Sequence, residues 1–155
     1  MVGQVEAHEF DALAALMRDT IEPLAYYNER AIGAELTKYT PDKLRAMAAE
    51  DPDAILVARD NDGLCGFCVS RFDDGTLWLA WFGTAARARG RGVGAALLSA
   101  LASTLTSRRA HKIWCDSRTD NKESASVLTR AGYRRIATLT NHWYGQDYFL
   151  WESYP

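Results

Sequence analysis

The strongest chemical signal in the chain is Arg89-Gly90-Arg91-Gly92-Val93-Gly94, followed at once by Ala95-Ala96-Leu97-Leu98. Three glycines and two arginines sit where an apolar strand pattern ends and a helix pattern begins. Glycine lets backbone N–H groups approach an anion closely, and a helix N-terminus adds partial positive charge. The pattern predicts a phosphate cradle, and the ligand class it points to is a pyrophosphate-bearing cofactor. A dinucleotide-binding loop would instead read G-x-G-x-x-G in the first turn of a βαβ unit, with an acidic residue about 20 positions on. Here the glycines fall at 90, 92 and 94, after several strand patterns rather than the first. Two further segments hold groups able to move protons. Asp116 closes the run Ile113-Trp114-Cys115-Asp116, and His142 and Tyr144 lie in Asn141-His142-Trp143-Tyr144-Gly145-Gln146-Asp147.

These residues need a scaffold, and the patterning supplies one. A short strand is expected near Val2–Ala7, then an amphipathic helix with Phe10, Leu13, Leu16 and Met17 on one face. Ile21 to Leu36 reads as a second helical region, rich in Tyr26, Tyr27, Glu29 and Glu35. Thr40-Pro41 opens a third helix, with Thr as N-cap and Pro at the first helical position, running to about Glu50. Strand patterns follow at Ala54–Arg59, Leu64–Phe72 and Thr76–Thr84, separated by Asn61-Asp62-Gly63 and Asp73-Asp74-Gly75. Asp-Gly turns between such runs predict antiparallel hairpins. A helix over Gly92–Arg108 points Val93, Leu97, Leu98, Leu101 and Leu105 inward, and Lys112–Ser117 is a strand. Asp120 with Glu123 resembles a capping box for a helix Asn121–Ala131, which Gly132 stops. Two last strands, about Tyr133–Asn141 and Asp147–Glu152, flank a turn containing Gly145. The fold class is therefore α+β in α/β/α layers: an antiparallel meander, then strand–helix–strand–helix–strand–strand, with helices on both faces of the sheet.

A length of 155 residues predicts one domain over 1–155 with a single sizeable core. Net charge is −2 and the sequence pI is about 5.9, which argues against a dedicated nucleic-acid binder. No apolar run approaches the roughly 20 residues that span a membrane. Met1–Glu6 has neither a basic nor an apolar leader region. Three cysteines are too few for a disulfide framework, and a cytoplasmic setting is expected. No His/Cys cluster has zinc spacing, so no metal is expected. Cys65-Gly66-Phe67-Cys68 has redox spacing but lies inside a strand pattern, where positions three apart face opposite sides.

The spacing Arg89-x-x-Gly92-x-Gly94 resembles the acyl-CoA motif of the GNAT superfamily of N-acetyltransferases. Asn121 to Tyr133 resembles that family's second motif: Asn121, the small Ser124, a helix, then Gly132 before the aromatic Tyr133. The resemblance implies a mixed, mostly antiparallel sheet of six to seven strands with the fourth and fifth splayed apart. It implies acetyl-CoA as co-substrate, with the backbone of Arg89, Gly90, Arg91, Gly92, Val93 and Gly94 holding the pyrophosphate. Phe82, Gly83 and Thr84 would pair with the pantetheine arm as an added strand does. Asn121 would hydrogen-bond the arm further along, beside Ser124. The arginines of 87–91 would then serve the cofactor phosphates rather than RNA.

Acetyl transfer to an amine requires that the amine lose a proton, the thioester carbonyl be polarised and the departing thiolate be stabilised. In ribosomal-protein N-terminal acetyltransferases of this superfamily a glutamate matching Asp116 is the base. Aspartate is one methylene shorter, so a water relay is allowed for. The competing reading of Asp116 is a turn cap working with Ser117 and Thr119. Many members carry a tyrosine acid seven residues after the motif asparagine, where this chain has Leu128. Tyr144 is the candidate in its place, and His142 is the alternative, as acid or base. The competing reading of both is an aromatic turn packed over the site. The fourth strand has no acid, and the odd offset of Trp78 and Trp81 is expected to put them on opposite faces, one of them in the acceptor pocket. The resemblance places the rest of that pocket around Tyr26, Tyr27 and Glu29, where aromatic and acidic walls would suit a cationic amine. The expected acceptor is a primary amine, on a small molecule or a protein N-terminus, taken by a monomer or homodimer. Two other readings stay open: a non-catalytic acyl-CoA-binding module, and an acetyltransferase of charged tRNA.

Overall fold

The computed structural model describes residues 1–155. Its elements in chain order are β1 (Val2–Gln4), α1 (Phe10–Ile21), α2 (Glu29–Leu36), α3 (Pro41–Glu50), β2 (Ile55–Asp60), β3 (Gly63–Asp73), β4 (Thr76–Thr84), α4 (Val93–Ser103), β5 (Lys112–Arg118), α5 (Lys122–Arg130), β6 (Arg134–Leu139) and β7 (Tyr148–Ser153). The strands form one seven-stranded sheet in the order β1-β2-β3-β4-β5-β7-β6. Every neighbouring pair is antiparallel except β4 and β5. The mixed, mostly antiparallel sheet expected from the sequence is the one observed. The last hairpin folds back so that β7, not β6, lies against β5.

Each face of the sheet has its own apolar layer. Phe10, Leu13, Met17 and Ile21 of α1, with Tyr39 and Leu44, bury against Ile55, Val57, Phe67 and Val69. On the other face Leu97, Leu98 and Leu101 of α4, with Leu128 of α5, bury against Leu56, Leu77, Leu79 and Ile113. Each such side chain contributes about 1.5–3 kcal/mol through burial. The first helical layer stops at β4, so the same face of β5, β7 and β6 is left to a loop and a turn.

The parallel pairing of β4 with β5 covers only Thr76/Lys112, Leu77/Ile113 and Trp78/Trp114. Beyond that point the strands part, and β4 continues to Thr84 with a backbone edge turned to the gap. A bulge helps it leave. Val69 faces Trp81 and Ser70 faces Leu79, so Ala80 is an extra residue on β4. A bulge bends its strand and reverses the alternation of side chains after it. Trp78 and Trp81 therefore lie on the same face, where simple alternation predicts opposite ones. Phe82 instead packs into the α4 side, while Trp81 packs on the α1 side. A second bulge acts on the cysteines. Ala58 faces Gly66 and Arg59 faces Leu64, making Cys65 the extra residue on β3. Cys65 and Cys68 consequently both point into the α4-side core, contrary to the reading by alternation.

Three further departures have local causes. The helical region expected over Ile21–Leu36 is broken, because Pro23 cannot donate to a continuing α1 ladder, and α2 starts afresh from Asn28, whose Oδ1 accepts from Ala31 N at 2.9 Å. The helix expected to reach Arg108 ends at Ser103. Thr104 Oγ1 donates to the Leu101 carbonyl at 2.8 Å and Ser107 Oγ to the Thr104 carbonyl at 3.0 Å, a competition with the ladder that Ser and Thr offer. The cap of α5 is Asn121, whose Oδ1 accepts from Ser124 N at 3.0 Å, and not the Asp120 of the expected capping box. Asp120 Oδ2 instead lies 3.3 Å from Arg118.

Candidate active site

Where β4 and β5 part, the structure holds a cleft of about 1400 Å³ running across the sheet. One end is made mostly of backbone. Phe82, Gly83 and Thr84 give it the free edge of β4, and Arg89, Gly90, Gly92, Val93 and Gly94 line it beside them. Gly90 and Gly92 have φ of +72° and +80°, in the left-handed region that favours glycine. Gly92 is the N-cap of α4, so the first N–H groups of that helix have no partner within it. Asn121 and Ser124 line the opposite wall. The Asn121 carboxamide is largely committed to its own helix, since Nδ2 also donates to Ser124 Oγ at 2.8 Å. Arg89, Lys122 and Arg130 bring positive charge to this end. The neighbouring arginines do other work. Arg87 is bound to Asp60 and to the Leu64 carbonyl. The Arg91 side chain lies 4.0 Å from Asp60, beside a separate hollow lined by Val2 and Ala58.

The other end is made of side chains from five places in the chain. Asp116, on β5 just past the fork, is partly buried, and its Oδ2 accepts a hydrogen bond from Trp143 Nε1 at 2.7 Å. Burial pushes its carboxyl up to about 6, against the downward pull of the Trp143 N–H and of His142. A second carboxylate, Glu35 of α2, faces the same space and also raises it. Glu35 is 14% exposed and accepts from Trp81 Nε1 at 2.8 Å, Lys38 Nζ at 2.6 Å and the Tyr144 hydroxyl at 3.4 Å. Tyr27 packs on Trp81 with ring centroids 5.7 Å apart, and Tyr26 packs on Tyr27. Burial holds both phenols protonated, Tyr26 up to about 12 and Tyr27 higher. His142 stacks edge-on against Trp143 and faces Tyr148.

Two segments far apart in sequence are tied together over this end. Arg118 is buried, with Nε donating to the Tyr26 carbonyl at 2.9 Å and Nη1 to the Asp147 carbonyl. Gln146 Nε2 donates to the Tyr26 carbonyl at 3.1 Å, and its Oε1 accepts from Asn28 N at 3.2 Å. Asn28 Nδ2 donates to the Tyr144 carbonyl at 3.1 Å. The α1–α2 loop and the β6–β7 turn thus form one roof. Beneath it the cleft continues past Asp116 toward Trp78, Arg71 and Asp73 on the β3–β4 hairpin.

The fork gathers Asp116, His142, Tyr144, Tyr26, Tyr27 and Trp81 with Arg89, Gly90, Gly92, Val93 and Gly94, but not Arg91, whose side chain turns to Asp60 and a separate hollow. It does not gather Glu29, which is exposed at the start of α2 and lies outside the cleft lining. Leu128 is fully buried in the core and also lies outside it. Sequence reasoning missed Glu35 and Trp143. Helical spacing held a signal for Glu35: Ala31 is the buried residue of α2, and position i+4 from it shares its face, while Glu29 does not. No periodicity flags Trp143, which sits in a turn.

Chemically, one end can hold an anion and an extended amide chain through backbone groups. The other can receive a cationic amine among aromatics and two carboxylates, one of which burial pushes up to about 6.

The chain matches the acetyltransferase (GNAT) family over residues 16–133. No curated protein matches it. Its fold is shared by solved structures of low sequence identity. The ribosomal-protein-alanine N-acetyltransferase of Brucella melitensis superposes with a TM-score of 0.78 at 20% identity, covering 100% of this chain and 99% of that one. The putative acetyltransferase yncA of Salmonella typhimurium, solved with acetyl-CoA, gives 0.78 at 16% identity over 99% and 92%. Arabidopsis thaliana Naa50, solved with the bisubstrate analogue CoA-Ac-MVNAL, gives 0.73 at 18% identity over 99% and 97%.

Proposed function

From its membership of the acetyltransferase (GNAT) family, to which the chain belongs, we propose that this acetyl-CoA-dependent acetyltransferase acts on the free amino terminus of a peptide or protein, with Asp116 as proton acceptor. The observation that carries the reading is the position of Asp116: a partly buried carboxylate at the mouth of the fork, titrating near 6, opposite a second carboxylate. A base of that strength is ionised at neutral pH and still accepts a proton readily.

The residues at the glycine-loop end fit acetyl-CoA. The loop of Arg89 to Gly94 and the start of α4 suit its pyrophosphate, and Arg89, Lys122 and Arg130 suit its remaining phosphate. The open edge of β4 at Phe82 to Thr84 suits the two amides of the pantetheine arm, and Asn121 and Ser124 face that arm across the cleft. Bound there, acetyl-CoA supplies an activated acyl group. The acceptor enters as an ammonium ion, drawn between Glu35 and the faces of Tyr27, Trp81 and Tyr144. Asp116 takes its proton, directly or through one water, and the freed nitrogen attacks the thioester carbonyl carbon. The new C–N bond forms as the C–S bond breaks, and the second proton that the nitrogen must lose passes to the departing thiolate or to solvent water. The thiolate leaves without help from α5, where Leu128 is core, and an ordinary thiol pKa near 8.5 makes that tolerable. Holding amine and thioester together at the fork provides much of the rate.

The continuation of the cleft past Asp116 favours a chain-like acceptor over a compact amine. The bisubstrate complex of Arabidopsis Naa50, whose ligand joins CoA to a peptide, supports the same choice. CoA thiol release with free-amine pentapeptides, Nα-blocked copies and short polyamines tests it. Turnover of the free-amine peptides alone, lost in Asp116→Asn, is the expected result. Turnover of the polyamines alone would transfer the assignment to small-molecule amines.

A further inference from the structure

Asp116 has two carboxylate oxygens, and the protein engages one. Oδ2 takes the Trp143 indole N–H at 2.7 Å; no donor of the chain reaches Oδ1. Trp143 comes from the β6–β7 turn and is 51% exposed as a residue. Beyond its edge-on contact with His142, the indole N–H is the polar contact that ties this half-exposed aromatic to the site. The turn that aims it adopts costly geometry. Tyr144 has a φ of 56°, left-handed in a bulky residue, alongside Asn141 at 51°, a residue type that enters this region readily. Strain of this kind persists only where the surroundings impose it. Here Asp147 Oδ1 accepts from Asn141 N at 2.7 Å, and Asn28 holds the Tyr144 carbonyl.

We propose that Trp143 is the positioning residue of the transfer reaction, its indole N–H locking one oxygen of Asp116 so that the other is presented to the incoming amine. The inference rests on Asp116 being the proton acceptor. The other groups facing Asp116 are His142 of the same turn, Glu35 of α2 and Lys38 just beyond it, Tyr27 of the α1–α2 loop and Tyr148 of β7. Burial and Glu35 oppose its charge, and Lys38 and His142 support it less than the Trp143 N–H does. Without that donor the carboxyl holds its proton to higher pH. The neutral form cannot act as base, so the indole both aims Asp116 and keeps it in working form.

Trp143→Phe tests this, keeping an aromatic ring and removing the donor. The side-chain carboxyl ¹³C resonance of Asp116, identified by its loss in Asp116→Asn, is followed from pH 4 to 8 in the full chain. An upward move of its midpoint in Trp143→Phe is expected, and an unmoved midpoint overturns the proposal. In thiol-release assays with a free-amine pentapeptide, the acid limb of kcat should move up by the same interval. Activity should be several-fold lower at pH 7 and recovered at higher pH, with the acetyl-CoA melting shift unchanged. Equal loss of kcat at every pH would make Trp143 a structural residue only. An Asp116→Asn protein that keeps its activity while the ¹³C midpoint still moves would sink the assignment of the base instead, and leave the contact without a catalytic role.

Discussion

The two ends of the cleft are built on different principles. The glycine-loop end uses backbone: the β4 edge, two left-handed glycines and the start of α4, all within residues 82–95, with α5 opposite. The Asp116 end uses side chains contributed by the α1–α2 loop, α2, β4, β5 and the β6–β7 turn. A backbone site tolerates changes of side chain but not an added Cβ or an altered φ. A side-chain site is the reverse, since each truncation removes a specific contact. In the proposed function the first end holds acetyl-CoA and the second receives the acceptor.

If this contrast is right, the largest effect falls on Asp116. Asp116→Asn should lower kcat roughly 10²–10⁴-fold, the range for a general base. The thermal shift given by acetyl-CoA should stay as in the parent protein, because the other end is untouched. A comparable loss of that shift would show that the two ends are not separable. In the parent protein kcat should fall as pH drops through about 6, where Asp116 gains its proton. The direction follows from the proposed role, since the acid form has no capacity to accept.

Gly92→Val tests the backbone end from the opposite side. A β-branched residue at φ +80° pays about 1–2 kcal/mol for the left-handed conformation, which amounts to roughly 10-fold in acetyl-CoA affinity if the strain is relieved by opening the loop. Calorimetric titration with acetyl-CoA and with CoA should show equal losses for both, while the Asp116 midpoint stays in place. Gly83 resists substitution for another reason. A Cβ there would stand 2.6 Å from the Phe67 ring and 3.0 Å from Thr20, so β4 could not keep its edge where it is.

The same contrast explains what the sequence disclosed. The glycine loop was legible because its residues are contiguous and its glycines are dictated by φ. The element order was legible because hydrophobic periods and Asp-Gly turns are local. The two bulges were not, because Cys65 and Ala80 are defined only by the residues opposite them on partner strands. Missing the Ala80 bulge reversed the facing of Trp81 relative to Trp78. Asp116 could be picked out by its place before Asn121, but its partner Trp143 lies 27 residues on, and nothing local joins them. Glu29 lies in the α1–α2 connection where the resemblance centres the acceptor pocket, whereas the rotation of α2 brings Glu35 to the cleft instead.

Glu35→Gln gives a middle-sized effect confined to the acceptor side. The amide keeps a hydrogen-bond acceptor for Trp81 but loses the charge that draws an ammonium ion. KM for a free-amine peptide should rise about 5–10-fold, in line with the loss of one charge-assisted contact, with a smaller change in kcat. A change in kcat alone would make Glu35 part of proton transfer rather than of acceptor binding.

The smallest predicted effect sits where the contrast itself is under strain, at Asn121. It lines the backbone end, but through a side chain that also caps α5: Oδ1 holds Ser124 N at 3.0 Å and Nδ2 holds Ser124 Oγ at 2.8 Å. Asn121→Ala removes both functions and should cost about 1 kcal/mol of stability, the usual value of an N-cap. Asn121→Asp keeps a capping oxygen at a helix N-terminus, where negative charge is welcome, and removes only the N–H donor. Chemical denaturation should therefore separate the two, with Ala destabilised and Asp close to the parent. Acetyl-CoA affinity should fall a few-fold in both if the Nδ2 hydrogen that Ser124 leaves free binds the pantetheine arm. If affinity falls in Ala and not in Asp, Asn121 acts by holding the first turn of α5 in place, and the cofactor end is a backbone site throughout.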